Sequence, residues 1–282
     1  MHLADPTDPA GTPARRGPRL KGSGPRAWLR AGVAGLAVLA GLALPAVSSS
    51  PAWADPSPDA YVANNGSSSV SVINTTTNTV VGTVPVGNGP AAVAITPNGR
   101  RVYVTNRDSN SVSVINAVSH TVVGTIPVGN GPEGVAITPN GRRAYVANDG
   151  SDNVSVINTT TNTVAATIPV GSAPGGIAIT PNGRHAYVTN YFSNDVSVID
   201  TTTNTVVATI PVGSRPLGVA ITPNGRRAYV TDFSSNDVSV INTTTNTVAG
   251  TIPVGTNPAG IAITPGKGKL HKPDQPKKPG HH

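Results

Sequence analysis

The sequence predicts an all-β protein assembled from one four-stranded unit repeated five times. Three observations carry that expectation. With 31 Gly and 27 Pro in 282 residues, the chain is interrupted too often for a helical bundle. Val, Thr and Asn fill the stretches between, as suits strands joined by polar turns. Finally, Tyr61, Tyr103, Tyr145, Tyr187 and Tyr229 stand 42 residues apart, heading YVAN, YVTN, YVAN, YVTN and YVTD.

The third unit shows how each repeat parses. Strand A is the short run 134–138 (GVAIT). Pro139-Asn140-Gly141 then reverses the chain, Pro presetting the first turn residue and Gly taking the left-handed position. Strand B is 144–148 (AYVAN) and strand C is 154–158 (VSVIN). The polar turn 159–162 leads to strand D, 163–170. Every strand D carries a proline (Pro85, Pro127, Pro169, Pro211, Pro253), and a residue without a donor N–H belongs on a sheet edge. Strand A is rich in Gly and Ala and suits the crowded inner position. Four-stranded sheets recurring every ~40–45 residues read as the blades of a β-propeller. The first unit begins at strand B, and the last element, 258–264 (PAGIAIT), is a strand A with no strand B after it. The expectation is a five-bladed ring over about 59–265, closed when 258–264 completes the first blade; the alternative is an open arc completed by a second chain.

The residues Tyr103-Val104-Thr105-Asn106 and their copies, Val112-Ser113-Val114-Ile115-Asn116, and Ile137-Thr138-Pro139-Asn140-Gly141-Arg142 carry a resemblance. Over nearly all of 59–265 the chain resembles the YVTN-repeat family of secreted β-propellers, found in surface-layer and YncE-like proteins. The resemblance implies an exported or surface-bound propeller. Members are usually seven-bladed, whereas this chain holds five repeats.

The two ends account for the formal charge of +7. Residues 1–54 hold Arg15, Arg16, Arg19, Lys21, Arg26 and Arg30 ahead of the apolar run 31–44 and the small-residue site Ala52-Trp53-Ala54. That order is the one found in a secretory signal cleaved near Ala54, and 14 apolar residues are too few to span a bilayer. The mature chain is therefore expected outside the cytoplasm, secreted or on the cell surface, without a membrane span. A Lys/Pro-rich tail, 266–282, is expected to be disordered. With no Cys, disulfides and thiol chemistry are excluded.

In a propeller of this topology the A–B and C–D turns share one face, and the B–C and D–A loops share the other. The first face is nearly uniform and carries Arg100, Arg101, Arg142, Arg143, Arg184, Arg226 and Arg227. With the Lys-rich tail, these arginines are candidates for docking on a polyanion such as wall teichoic acid, anionic lipid head groups or nucleic acid. The alternative is that Arg after Asn-Gly is a solvated turn residue copied with the repeat. No aromatics interleave with the basic residues, so sequence-specific nucleic-acid recognition is not expected.

The second face varies between repeats, and loops are where function concentrates. Its candidate ligand- or partner-binding residues are Arg107, Asp108, Glu133, Asp149, Asp152, Tyr191, Phe192, Arg215 and Phe233. In a chain with two Phe, Phe192 and Phe233 on neighbouring loops are candidates for an apolar contact with a partner or a glycan. The oxygen-rich stretch 148–153 lacks the spacing and closing Glu of an EF-hand, so no metal site is expected. No catalytic residues or cofactor are expected either. His120 and His185 lie in different repeats, and Glu133 is the only Glu between the two ends. The function expected is a non-catalytic binding or scaffold propeller that docks on an anionic envelope polymer by its Arg-rich face and meets a surface partner by its variable loops. The alternatives are a lactonase- or lyase-like propeller enzyme and a purely structural surface-layer component.

Overall fold

A computed structural model describes residues 58–265. The expected signal segment and Lys-rich tail lie outside the described residues. Among the described residues, nineteen strands form five antiparallel sheets. Blade 1 contains β1 (Asp59–Asn64), β2 (Ser69–Asn74) and β3 (Thr79–Pro85). Blade 2 contains β4 (Pro90–Ile95), β5 (Arg101–Asn106), β6 (Ser111–Asn116) and β7 (Thr121–Pro127). Blade 3 follows with β8 (Pro132–Ile137), β9 (Arg143–Asn148), β10 (Asn153–Asn158) and β11 (Thr163–Pro169). Blade 4 is β12 (Pro174–Ile179), β13 (His185–Asn190), β14 (Asp195–Asp200) and β15 (Thr205–Pro211). Blade 5 is β16 (Pro216–Ile221), β17 (Arg227–Asp232), β18 (Asp237–Asn242) and β19 (Thr247–Pro253). No described helix is long and apolar enough to cross a membrane.

Within each sheet the strands pair in sequence order, so the proline-bearing strand is outermost, as expected. Gly141, at φ 70°, takes the left-handed position of its hairpin, and its N–H donates to Thr138 O at 2.8 Å. Crowding explains the glycines of the inner strands: a Cβ on Gly134, Gly176 or Gly218 would collide with a carbonyl oxygen of the following blade's inner strand or inner segment.

Successive blades stack by one repeated contact. Tyr103, Val112, Val114 and Ile126 of blade 2 pack on Ala144, Val146 and Ile157 of blade 3. The same set recurs between blades 1 and 2, 3 and 4, and 4 and 5. Each buried Tyr reaches across to hold the next blade. Tyr103, Tyr145 and Tyr187 donate from their hydroxyls to Asn162, Asn204 and Asn246 Oδ1 at 2.8, 3.0 and 2.7 Å. Nearer the centre, Thr105 and Thr189 Oγ1 donate to the carbonyls of Glu133 and Leu217 in the next inner strand, at 2.7 and 2.9 Å.

The expected closure of the ring differs from the structure. Residues 258–264 form no strand, and among the described residues β1 has only β2 as a ladder partner, so the described part of blade 1 is three-stranded. The segment does enter the inner position beside blade 5, where Thr231 Oγ1 donates to Ala259 O at 2.8 Å. It lacks a strand B to pair with there. The described residues thus form an array with two unpartnered ends.

Candidate functional site

The variable face is held together by bonds that also repeat. Each D–A loop donates a backbone N–H to a serine of the next B–C loop: Asn130 to Ser151 at 2.6 Å, Ser214 to Ser235 at 2.6 Å. Each B–C loop in turn braces the following D–A loop. Asp152 Oδ1 accepts from Ala173 N–H at 2.8 Å, as Asn110 and Asn194 do from Gly131 and Arg215 at 2.9 and 2.8 Å. Asp152 therefore serves the scaffold, although its side chain is exposed. Asp108 is exposed beside Gly89, in the loop its N–H ties to Asn88 O at 3.2 Å.

Two groups of the predicted residues come together on this rigid base. In blades 2 and 3, Arg107 Nε lies 2.9 Å from Glu133 Oε1, and its Nη2 lies 3.7 Å from Asp149 Oδ2. Burial raises the Glu133 pKa, Arg107 opposes it, and Asp149 and Asp108 add to the rise. These partly exposed pairs contribute at most about 1 kcal/mol each. In blades 4 and 5, the Arg215 guanidinium lies 5.6 Å from the centre of the Tyr191 ring. Tyr191 meets Phe192 edge to face, with centroids 5.1 Å apart. Phe192 is 66% exposed, and Phe233 is adjacent, its N–H donating to Arg215 O at 3.0 Å. Arg215 holds φ 55° at the position where the two earliest repeats have Gly89 and Gly131, and Ala173 and Asn257 hold the same backbone there at φ 54° and 53°. A non-Gly residue there is strained. One half of the face is thus ionic and internally paired, and the other is aromatic and open.

On the uniform face the backbone N–H groups of Arg100, Arg142, Arg184 and Arg226 donate to Asn98, Asn140, Asn182 and Asn224 Oδ1 at 3.0–3.1 Å. These four side chains and Arg227 are exposed, and Arg101 is half-buried. Arg143 is different: its Nη1 donates to Thr201 O and Asn204 Oδ1 at 2.8 and 3.0 Å, tying blade 3 to blade 4. A cavity of about 470 Å³ opens beside Thr222, Asn224, Arg226 and Arg227 in blade 5.

Sequence reasoning missed one pairing. His120 Nε2 lies 3.1 Å from Asp59 Oδ2, with Tyr61 edge-on to the imidazole at 6.3 Å, and all three line a cavity of about 640 Å³. The available signal was that His120 replaces the left-handed Asn found at 78, 162, 204 and 246. Among the described residues, no three His, Cys, Asp or Glu side chains converge in a way that could hold a metal ion.

The fold and its faces define a β-propeller-type repeat protein. A family model described as lactonase, 7-bladed beta-propeller matches residues 57–167, less than half of the chain. Among solved structures, a functionally unknown protein from Desulfotomaculum acetoxidans is similar at TM-score 0.66 and 22% identity, over 74% of this chain and 70% of its own. Kuenenia stuttgartiensis hydrazine synthase is similar at TM-score 0.56 and 31% identity, over 58% of this chain. The PE-PGRS family protein PE_PGRS18 of Mycobacterium tuberculosis shares 52% identity over 43 residues, 15% of this chain. The matched parts span 49% of the hydrazine synthase chain and 9% of PE_PGRS18.

Proposed function

We propose that the chain is an exported, non-catalytic binding propeller of the YVTN-repeat kind, and that it engages a surface partner through the aromatic half of its variable face. The observation that carries this reading is Arg215. It keeps a left-handed backbone that glycine would adopt without strain, and its guanidinium is stacked on Tyr191 beside the exposed Phe192. Strain retained at a solvent-facing aromatic cluster supports selection for contact rather than for stability. The opposite face rests on an anionic envelope polymer through Arg100, Arg142, Arg184 and Arg226, whose side chains are exposed. Arg143, committed to the neighbouring blade, is left out of that surface.

The test is co-sedimentation of the full chain with isolated cell envelope across a salt series. Changing Arg100, Arg142, Arg184 and Arg226 to Ser should remove the salt-sensitive part of binding. Phe192→Ala together with Arg215→Gly should remove the salt-resistant part while leaving the protein at least as stable as before. Binding unchanged by both sets of substitutions would refute the reading. A lactone-cleaving enzyme is the second reading, favoured by the family match over 57–167 and by the raised pKa of Glu133. Lactone hydrolysis by the full chain, lost in Glu133→Gln, would establish it instead.

A further inference from the structure

The two unpartnered ends of the array are the two halves of its own internal contact. At the trailing end, Tyr229, Val238, Val240 and Ile252 of blade 5 repeat the set that blades 1–4 each bury against the next blade. The set is only partly covered: Val238 and Val240 are 8% and 6% exposed, but Ile252 is 46% exposed, whereas Ile126, Ile168 and Ile210 are 2–4% exposed. At the leading end, Ala60, Val62 and Ile73 of blade 1 occupy the positions of Ala144, Val146 and Ile157, the receiving half of the same contact. Val62 is 44% exposed while Val146 has no exposed surface. Among the described residues blade 1 also has no inner strand, and 258–264 is an inner-strand sequence placed at the trailing end without a described strand to pair with.

We infer that the trailing face of one copy receives blade 1 of a second copy, in the geometry that joins consecutive blades within the chain. The internal contacts then specify the new ones. Ile261, Ala262 and Ile263 of one copy pair antiparallel with Val62, Tyr61 and Ala60 of the next, as Ile177, Ala178 and Ile179 pair with Val188, Tyr187 and Ala186. The Tyr229 hydroxyl donates to Asn78 Oδ1 of the second copy, as Tyr187 does to Asn246. Arg227, beside the cavity at the trailing end, takes the role Arg143 has toward Thr201 and Asn204, reaching Thr75 and Asn78 of the second copy. Because the two surfaces differ, the association is head-to-tail. It runs on copy after copy unless the rotation between blades brings it back on itself.

The test uses the full chain, which has no cysteine of its own. Ala60→Cys combined with Ile263→Cys places the two thiols opposite each other in the predicted ladder, one from each copy. Oxidation should give a series of disulfide-linked multimers on a non-reducing gel. A crosslink confined to single chains would overturn the inference in favour of self-closure, and no crosslink would overturn it outright. Light scattering supplies a second reading without cysteines. Ile252→Asp and Val62→Asp, both at exposed positions, should each give a monomer, and mixing the two should give a dimer and nothing larger. A wild-type chain that stays monomeric at high concentration, or a mixture that stays monomeric, would refute the head-to-tail contact.

Discussion

Asp232→Asn should stabilise the protein, and by an amount that grows with pH. Asp232 has no exposed surface and occupies the position of Asn106, Asn148 and Asn190 in the preceding blades. There the amide nitrogen donates to two side chains of the neighbouring strand. In blade 4, Asn190 Nδ2 donates to Asp195 Oδ1 at 2.6 Å and to Ser197 Oγ at 2.8 Å. In blade 5 the donor has become a carboxylate. Its Oδ2 accepts from the N–H and hydroxyl of Ser239 at 3.1 and 2.7 Å, but its ladder partner is Asp237, a second acid. Burial first, and Asp237 in addition, lift the Asp232 pKa from 3.8 to about 6 against the pull of the Ser239 hydrogen bonds.

A carboxyl whose pKa is higher folded than unfolded stabilises the fold only while it is protonated. The contribution is complete below pH 3.8 and is lost as pH rises through about 6. The gap corresponds, at roughly 1.4 kcal/mol per pH unit, to about 3 kcal/mol of stability absent at neutral pH. Asn carries no charge and restores a donor toward Asp237 and Ser239. The substitution should therefore be nearly neutral at about pH 4 and should raise stability by about 2–3 kcal/mol at about pH 7.5. In a domain of this size that is roughly 5–10 °C in melting temperature. Urea and thermal unfolding of wild type and variant across this pH range make the measurement. A gain that does not change with pH, or a loss at neutral pH, would show that Asp232 is not a buried carboxylate destabilising its blade.

The inter-blade tyrosines supply their own control. Tyr187→Phe should cost about 1 kcal/mol in urea unfolding by removing the bond to Asn246, whereas Tyr229→Phe, whose hydroxyl has no partner among the described residues, should cost nothing in the monomer. Gly176→Ala should cost about 1–3 kcal/mol, because its Cβ would strike the Leu217 carbonyl in the next blade's backbone. Its neighbour Gly175 has nothing nearer than Thr189 Oγ1 at 3.9 Å, so Gly175→Ala should fall well short of that.

What could be read from the sequence was whatever the repeat states locally. Strand order, the outer place of the proline strand and the left-handed Gly of each hairpin follow from backbone chemistry within a few residues, and all of them hold. Contacts between repeats were harder to see. The Asn that ends YVTN looked like a strand terminus, yet Asn106 Nδ2 binds Ser111 and Ser113, and a Cβ on Gly87 would collide with it. Those three motifs form one unit whose parts are up to 26 residues apart. The Asp59–His120 pair spans 61 residues and depends on how blade 1 meets blade 2. Ring closure failed for a similar reason. Matching ends show which surfaces fit, but whether one chain's ends meet depends on a rotation accumulated over every blade, which no single repeat encodes.

The near-identity of the repeats gives a physical way to locate function without any other sequence. Where a repeat departs from its siblings at no energetic penalty, drift is sufficient explanation; where it departs at a penalty, something has to offset that loss. The charged departures in blades 2 and 3 compensate one another, since Arg107 is answered by Glu133 and Asp149. Those in blades 4 and 5 do not. Arg215 strains a backbone that Gly89 and Gly131 leave relaxed, and Asp232 buries a carboxylate where Asn would be uncharged and would donate to the neighbouring strand. The two are neighbours: Phe233, which follows Asp232, donates its N–H to Arg215 O at 3.0 Å. Phe192 adds an exposed aromatic surface to the same corner. Stability is given up at the place where the aromatic cluster opens to solvent, and a contact made there with a partner is what would restore it.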